Sequence, residues 1–374
     1  MLFTKRQQLV TAYTGTAATG NTISFSITRD FFLDSIILRV PYTIVTSSNN
    51  LVTLYAGLLG LIQNVTLSIA DGQSNRNQTS ASGHALVRYA GKVLSGLDQN
   101  TLSALSAANP LNATAGTFTG IMSIPLLFKH PQLSDPVGSA FLLPLPRYNT
   151  NPTLSVSLGT ASNIVASGTG ITSISFTNST LTAGYQSPYL VVNKRDTGNI
   201  MFPTWDTEFI ENSVTYSSTG SNQLYELQVP GSYTHIGLQG VNNSNAGVDL
   251  SGGSFTLQYL SNTLRQFTAS DIQVEEQYSQ GNDGFFPNSV TTTGTPLTNL
   301  NYFPGYSCLD FIHDGFGMET GELGSVLNAN QLAGSGARIQ LLQNIGTAGT
   351  YNYTWQRIFG DLTPLKLSAQ LQNA

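Results

Sequence analysis

Residues 60–91, GLIQNVTLSIADGQSNRNQTSASGHALVRYAG, are the stretch around which the rest of the chain is organised. Its first part alternates apolar Val65, Leu67 and Ile69 with small or polar residues. Because successive side chains of a strand point to opposite faces, this alternation predicts a strand with one buried face. An Asp-Gly pair at 71–72 then opens a run of Gln, Ser, Asn and Thr, which favours turns over a core.

The last part of the stretch resumes the alternation, with Ala85, Val87 and Tyr89 on one face and the residues between them on the other. This pattern predicts a second strand. Two strands joined by a polar loop form a sheet unit, and nothing in the stretch resembles a cofactor-binding loop.

The composition indicates a loop-rich β protein. With 374 residues, the chain exceeds a typical single domain, so two domains of similar size are expected. Charged residues make up only 9% of it, whereas ordinary globular proteins have about 25%. Hydrophobic content of 40% is enough to build cores, so disorder through charge excess is excluded. The 36 glycines and 15 prolines are spread throughout and fit many turns between short strands.

Charge and cysteine content exclude several classes of function. A net charge of −5, with Lys5-Arg6 and Lys194-Arg195 as the only adjacent cations, argues against a nucleic-acid-binding surface. Cys308 is the only cysteine, so the chain forms no intrachain disulfide and no cysteine metal site. This usage suits a reducing compartment, or a particle assembled in one. The N-terminus lacks a signal-peptide pattern, and the longest apolar run is shorter than the ~20 residues of a membrane helix. We therefore expect a soluble chain without an export signal.

Short alternating segments recur along both halves of the chain, at a spacing typical of a sandwich or barrel. We predict strands at 21–28, 33–45, 116–128, 154–158, 171–176 and 189–193, and then at 209–216, 223–229, 233–241, 255–260, 306–313, 337–345 and 351–359. Residues 54–62 predict a short helical turn, and residues 97–108 predict a helix that ends at Asn109-Pro110. Residues 264–278 fit a helix and a strand equally well. The periodicity lapses at 194–203, which predicts a domain boundary there.

The order of these elements from residue 20 to 195 resembles the first jelly roll of a viral protein family: the double jelly-roll major capsid proteins of tectivirus-type, internal-membrane viruses of the adenovirus-like lineage. In that family a strand ending in Asp similarly runs through Asn and Gln into a Ser-Gly-His strand. A later strand leads through IPLLFKHPQLSDPVGSAFLLPLP to TLSVSLG. The matching hairpin positions are Asp71, Gln73, Asn75, Arg76, Thr79, Ser82, Gly83 and His84.

The resemblance implies an all-β fold of two jelly-roll β-sandwiches side by side, with short helical excursions. Residues 1–20 would form an N-terminal arm, residues 21–195 the first jelly roll and residues 196–374 the second. In the second half only the succession of strands matches. The family's long helical N-terminal extension is absent or much shortened, which puts its arm-mediated contacts in doubt.

Few residues form patterns that could carry chemistry. Asp310, His313 and Asp314 are the most site-like cluster, with Glu319 and Glu322 downstream, but a metal or acid–base site would need a further, distant ligand. We interpret the cluster as a strand end running into an acidic loop. A second acidic group, formed by Asp271, Glu275 and Glu276, offers carboxylates for glycoside cleavage, although a solvated face is the favoured interpretation.

Other local patterns also have simpler explanations. Cys308 lies five residues before His313, but a lone thiol usually behaves as a small hydrophobic residue. Matches to the glycosylation sequon, four of them at Asn64, Asn77, Asn112 and Asn352, are expected by chance in a chain this rich in Asn, Ser and Thr. The alternating aromatics Tyr351, Tyr353 and Trp355 could stack on sugars or bases, but we predict that they pack in a core. We expect no catalytic, cofactor-binding or metal-binding residue, no cofactor and no enzymatic activity.

The leading functional prediction is a major capsid protein, of a bacteriophage or related virus, that forms pseudo-hexagonal homotrimers. These would tile an icosahedral shell over an internal membrane. Expected partners are neighbouring trimers, minor capsid or penton proteins and the lipid membrane, without direct nucleic-acid contact. The protein would reside in the virion after assembly in the host cytoplasm. The alternatives are a carbohydrate-binding or carbohydrate-active sandwich, such as a lectin or glycoside hydrolase, and a phage tail or fibre subunit.

Two surfaces are predicted to make contacts in this assembly. Lys5 and Arg6, beside Leu2 and Phe3, are expected to face the internal membrane, where each cation gains on the order of 1 kcal/mol from anionic lipid. The proline-rich segments 142–152 and 285–304 have few charges, and we expect them to form contacts between subunits.

Overall fold

A computed structural model describes the chain in segments. They comprise residues 5–11, 16–29, 32–49, 51, 54, 56–71, 74–93, 115–129, 142–165, 170–186, 205–227, 232–244, 248, 254–259, 262–268, 290–292, 295–297, 306–310, 327–328 and 339–360.

Within these segments the chain is almost entirely β. The strands are β1 Lys5–Thr11, β2 Thr16–Ala18, β3 Thr22–Ser26, β4 Phe32–Thr46, β5 Ile62–Asp71, β6 Ser74–Ala81, β7 Gly116–Leu127, β8 Leu143–Pro144, β9 Thr153–Leu158, β10 Ile171–Thr177, β11 Thr180–Gln186, β12 Trp205–Tyr216, β13 Gly220–Leu227, β14 Ser232–Asn242, β15 Ser254–Tyr259, β16 Asn262–Thr268, β17 Val290–Thr292, β18 Thr295–Leu297, β19 Tyr306–Asp310, β20 Leu327–Asn328, β21 Ile339–Ile345 and β22 Gly349–Gly360. The helices are α1 Gly83–Val93 and the 3₁₀ turns Gly57–Leu61, Leu145–Arg147 and Ala161–Asn163.

The first core lies between a seven-stranded sheet and the β6-β5-β9-β3 portion of a nine-stranded sheet. The long strand β4 is central to the seven-stranded sheet, with β7 along one side and β11 and β10 in succession along the other. Its inward residues Ile36, Leu38 and Val40 are fully buried. Pro41 lies between the registers of β11 and β10, where its missing N–H breaks no ladder on that side.

The second core lies between the β12-β22-β14-β19 portion of the nine-stranded sheet and the four-stranded sheet β13-β21-β15-β16. The predicted stripe Tyr351, Tyr353 and Trp355 is buried in this core, so the prediction that these aromatics pack internally is confirmed. The fold class of two β-sandwiches with few helices is likewise confirmed.

One sheet runs through both halves because β12 pairs with β6, at Phe209–Thr79 and Ile210–Ser80. This is the one parallel pairing among the described strands; the other pairs are antiparallel. Phe209, from the second half, packs into the first core. The two sandwiches are therefore joined through backbone hydrogen bonds as well as through side chains.

The organising stretch differs from its prediction in two places. The polar run after residue 71 was expected to be a loop, but residues 74–81 form β6, which pairs with β5 from Asp71–Ser74 to Val65–Ala81. The strand expected at residues 84–89 is helix α1. Residues 83–90 are all buried, and the polar residues His84 and Arg88 recur at the helical spacing of four, so the short alternation was misleading.

Two segments within residues 1–20, the predicted N-terminal arm, form strands. β1 pairs along its whole length with β11, from Lys5–Gln186 to Thr11–Thr180, and β2 pairs with β10. The residues around 14–20 are small and polar, so no alternating pattern indicated a strand there. An edge strand needs few apolar residues. Strand β11 was not predicted either, and residues 262–268, where helix and strand were equally favoured, form β16.

Several predictions concern residues outside the described segments. These are the helix at 97–108, the strand at 189–193, the boundary at 194–203, and the acidic residues Asp271, Glu275, Glu276, Asp314, Glu319 and Glu322 with His313. Of the contact segment predicted at 285–304, the structure describes the strands β17 and β18, which pair with each other. The division of the chain at residues 195–196 thus remains a prediction.

Candidate functional site at the junction of the two sandwiches

Helix α1 lies between the two sandwiches and contacts both. It packs on β5, β7 and the turn Gly57–Leu61 of the first half. Gly83 approaches the first core so closely that a Cβ atom there would lie 2.6 Å from the Cβ of Ile62. From the second half, β12, β14 and β22 supply side chains that contact the same helix. We call this region, with α1 at its centre, the junction.

The start of α1 is held from both sides. The Ser82 hydroxyl accepts a hydrogen bond from the Ala85 N–H at 3.1 Å, the arrangement of an N-cap. The Ser82 N–H donates to the Glu211 carboxylate of β12 at 2.7 Å. A carboxylate at a helix N-terminus also interacts favourably with the helix dipole. Burial raises the pKa of Glu211, and the hydrogen bond from Ser82 works in the opposite direction.

One turn of α1 carries a buried histidine–arginine pair. The Nε of Arg88 donates to Nε2 of His84 at 2.9 Å, and both side chains are buried. Because a guanidinium can only donate, His84 Nε2 must carry a lone pair, so the imidazole is neutral. Burial, reinforced by the nearby positive charge of Arg88, holds the pKa of His84 well below its ordinary value.

The far side of α1 meets an aromatic and amide cluster of the second half. The ring of Tyr89 stacks on His235 of β14 at a centroid distance of 3.9 Å. The Tyr89 hydroxyl donates to Gln356 Oε1 of β22 at 2.8 Å. The Gln356 Nε2 in turn donates to the carbonyls of Leu127 and Phe128, at 3.1 and 2.9 Å. Gln356 therefore connects β22 to both α1 and the end of β7, although it is only 1% exposed.

A second polar connection lies beside β6. Asp206 of β12 is 3% exposed and accepts hydrogen bonds from Arg76 of β6 and from the Tyr148 hydroxyl. Arg147 is an additional ion-pair partner at 3.3 Å. Burial, and then the Asp206 charge, raise the pKa of Tyr148, so its phenol stays protonated as a donor. A buried charge with this number of partners is compensated, and it fixes how β12 lies against β6.

A polar cavity of about 330 Å³ opens at the N-terminal end of α1. Its lining comes from both halves and comprises Ala56, Leu59, Gly60, Ile62, Gln63, Ser82, His84, Ser162, Asn163, Glu211, Ser213 and Asn352. Two ionisable side chains, His84 and Glu211, line it. The junction thus connects the two sandwiches, and its cavity is lined by residues of both.

The residues that the sequence singled out are mostly elsewhere. Lys5 and Arg6 lie in β1, opposite Gln186 and Tyr185. Asp310 and Cys308 lie in β19, opposite His235 and Gly237 of β14. Among the described residues, no group of three or more His, Cys, Asp or Glu side chains is placed to hold a metal ion. In the described part of the chain, no helix is long and apolar enough to cross a membrane.

Three of the four sequons, and one predicted contact segment, are also located. Asn64, Asn77 and Asn352 lie in strands β5, β6 and β22. In the segment 142–152, which was expected to contact other subunits, Leu142, Leu145 and Tyr148 are at most 1% exposed within the chain itself. The prediction is wrong for these apolar residues, because they already pack inside their own subunit.

Sequence reasoning missed the junction residues Tyr89, Glu211, His235 and Gln356. A partial signal was present: Ser82 precedes a possible helix as an N-cap, and His84 and Arg88 are four residues apart. The sequence gave no such signal for Gln356, because an amide between Trp355 and Arg357 fits the pattern of a solvent-facing strand position.

The fold is shared with solved structures of viral capsids. A chain in the atomic structure of Sulfolobus Turreted Icosahedral Virus matches with a TM-score of 0.63 and 16% identity, covering 99% of this chain and 97% of that one. The crystal structure of the STIV major capsid protein matches with a TM-score of 0.59 and 14% identity, over 97% and 98%. The major capsid protein of bacteriophage PM2 matches with a TM-score of 0.52 and 11% identity, over 95% and 98%.

No protein-family model matches the chain, and no curated protein matches its sequence. At identities of 11–16% the structural likeness establishes the fold. The chain thus has the double jelly-roll architecture over essentially its whole length.

Proposed function

We propose that the chain is a viral major capsid protein whose working unit is a homotrimer that tiles an icosahedral shell. The observation that carries this proposal is the end-to-end structural match to capsid proteins, which covers 95–99% of this chain and 97–98% of theirs. A match of this extent includes both sandwiches in tandem, whereas a jelly roll by itself also occurs in lectins.

The junction supports a role as a rigid building block. Two sandwiches joined by a continuous sheet, a buried helix and a compensated buried charge behave as one body. Each subunit then offers two similar walls, and three subunits around one axis present six, which is the outline of a hexagonal tile. Closed cyclic symmetry is the usual way in which identical chains satisfy one another's interfaces.

The surface composition also suits a permanent lattice. With 9% charged residues, lateral contacts can form without desolvating many ions. In this proposal the protein has a structural, non-enzymatic role in the virion after assembly in the host cytoplasm, and contacts neighbouring trimers and minor capsid or penton proteins. The segment 285–304 remains a candidate for contacts between subunits.

Contact of Lys5 and Arg6 with an internal membrane is a further part of the proposal. Because residues 5–11 form β1, deleting them would remove a strand as well as two charges. The suitable test is the double substitution Lys5→Gln and Arg6→Gln, which keeps the strand. We expect weaker retention of anionic vesicles by the variant; equal retention would contradict membrane contact by these residues.

The experiment that tests the main proposal combines microscopy with mass measurement. Electron microscopy of purified virus particles, with this chain identified by mass spectrometry as the main shell protein, would support it. Native mass spectrometry of protein released from the particles should show three copies per complex. A folded monomer at micromolar concentration, with no trimer in the particle, would contradict the trimer. Particles whose shell lacks this chain would contradict the capsid role.

A further inference from the structure

We propose that the junction is acid-sensitive: protonation of His84 opens the contact between helix α1 and the two sandwiches. This inference concerns the isolated subunit and does not depend on the capsid role. It starts from the hydrogen bond that Arg88 Nε donates to His84 Nε2 at 2.9 Å.

A proton on Nε2 cannot coexist with this hydrogen bond. Protonated Nε2 becomes a donor facing another donor, and the imidazolium would lie in contact with the guanidinium of Arg88. His84 is 4% exposed and Arg88 is 7% exposed, so water does not screen the two charges. His84 also lies in the first turn of α1, where the helix dipole disfavours a cation.

The other ionisable groups around α1 determine where a protonated His84 could go. On β12, Glu211 holds the Ser82 N–H and lines the same cavity as His84. On β14, His235 stacks against Tyr89. On β22, Arg357 is paired with Glu208 of β12, with Nε to Oε2 at 2.8 Å. Strand β7 and the turn Gly57–Leu61 carry no ionisable residue, and β5 carries only Asp71, at its far end.

Of these described groups, Glu211 is the carboxylate that lines the same cavity as His84, and we expect a histidinium to turn toward it. To reach it, His84 must leave Arg88 and turn into the cavity, which displaces the first turn of α1. That turn also carries the Ser82 cap and the close contact of Gly83 with Ile62. Protonation of a single buried side chain is thus coupled to the position of the helix that joins the two sandwiches.

The direction of the pH dependence follows from burial and the Arg88 charge, which both lower the pKa of His84 in the closed state. The opened or unfolded state binds a proton near the ordinary value of about 6.5. The stabilising effect is therefore complete above about pH 6.5 and is lost as the pH falls from there toward the lowered pKa. If opening takes up one proton, its equilibrium constant rises about tenfold for each pH unit in that interval.

Hydrogen–deuterium exchange of the intact protein between pH 7.5 and pH 5 tests this inference. After correction for the intrinsic exchange rate, amides of α1 should lose about tenfold protection per pH unit below about pH 6. Amides at the centre of β4 and β9 should change little. Equal protection of α1 throughout the range would overturn the inference, and this measurement requires no variant.

Variants assign the effect to His84. In His84→Gln the amide oxygen can still accept from Arg88 but does not titrate, so α1 protection should become independent of pH. Ser82→Ala is the matched control: it weakens the helix cap and should lower protection by a similar factor at every pH. An unchanged pH response in His84→Gln, or its disappearance in His235→Gln alone, would overturn the assignment to His84.

Discussion

The two sandwiches build their cores from different side chains. Among the described residues, the first core contains 40 buried side chains, of which eight are aromatic. The second contains 16, of which eight are aromatic. The first core is mostly Leu, Ile and Val at alternating strand positions. These aliphatic side chains need no hydrogen-bond partner. The second includes five tyrosines: Tyr216, Tyr225, Tyr233, Tyr351 and Tyr353.

Tyrosines make the second core depend on polar contacts as well as on packing. The hydroxyls of Tyr216 and Tyr353 lie 3.0 Å apart, and Gln343 donates to both of them. The ring of Tyr225 stacks on Tyr353 at 3.7 Å with the planes 4° apart. Buried hydroxyls stabilise a core when they are paired and destabilise it when a partner is lost. The second sandwich should thus respond to high pH and to the loss of single polar groups.

The largest expected effect is selective unfolding of the second sandwich at high pH. Burial raises the pKa of Tyr225, Tyr233, Tyr351 and Tyr353 above the ordinary value of about 10. Above pH 10 the unfolded chain releases these protons while the folded chain keeps them, so stability is complete below pH 10 and falls above it. In the first sandwich Tyr42 and Tyr148 show the same raised pKa.

Hydrogen exchange between pH 8 and pH 11 measures the difference. After intrinsic-rate correction, β21 and β22 should lose protection at a lower pH than β4 and β7. Simultaneous loss in both sandwiches would contradict the distinction between the two cores.

The next effect concerns the connection between the sandwiches. Asp206→Ala removes the shared partner of Arg76, Arg147 and Tyr148 and should cost about 3 kcal/mol of unfolding free energy. This is the low end for a broken buried pair, because the arginine side chains are 30% and 28% exposed and can reach water. Denaturant titration should show the single unfolding transition separating into two. Asp206→Asn, which retains an acceptor of the same shape, should cost less; an equal cost would indicate that the charge is unimportant.

Aliphatic truncation compares packing in the two cores directly. Leu38→Ala in β4 and Leu257→Ala in β15 each remove a fully buried side chain, and each should cost about 2–5 kcal/mol. We expect Leu38→Ala to lower protection across the first sandwich and Leu257→Ala across the second. Hydrogen exchange distinguishes the two patterns, and identical patterns would show that the cores unfold as one unit.

The smallest effect is the loss of one hydroxyl. Tyr353→Phe keeps the ring stacked on Tyr225 but removes the hydroxyl that both Gln343 and Tyr216 contact, at a cost of about 1–3 kcal/mol. Chemical denaturation measures the change. As a control, Phe176→Leu in the first core should leave the alkaline transition of the second sandwich where it is, whereas Tyr353→Phe should move it to higher pH.

Local alternation in the sequence was sufficient to predict much of this fold. Strands β4, β5 and β9 were recognised because one face of each is buried against a single core, which gives a clear alternation of apolar and polar residues in the sequence. The all-β class, the two successive blocks and the burial of the aromatic stripe in β22 followed from the same signal.

The junction was decided by the tertiary structure alone. Helix α1 is buried over residues 83–90, so its polar residues His84 and Arg88, four positions apart, face protein rather than solvent. Tyr89 donates a hydrogen bond to Gln356, and Arg76 donates one to Asp206; these partners lie 267 and 130 residues away along the chain. A local sequence pattern indicates only which face of one element is buried and which is exposed to solvent. Which distant side chain completes a buried hydrogen bond depends on how the elements are brought together, and that information exists only in the folded chain.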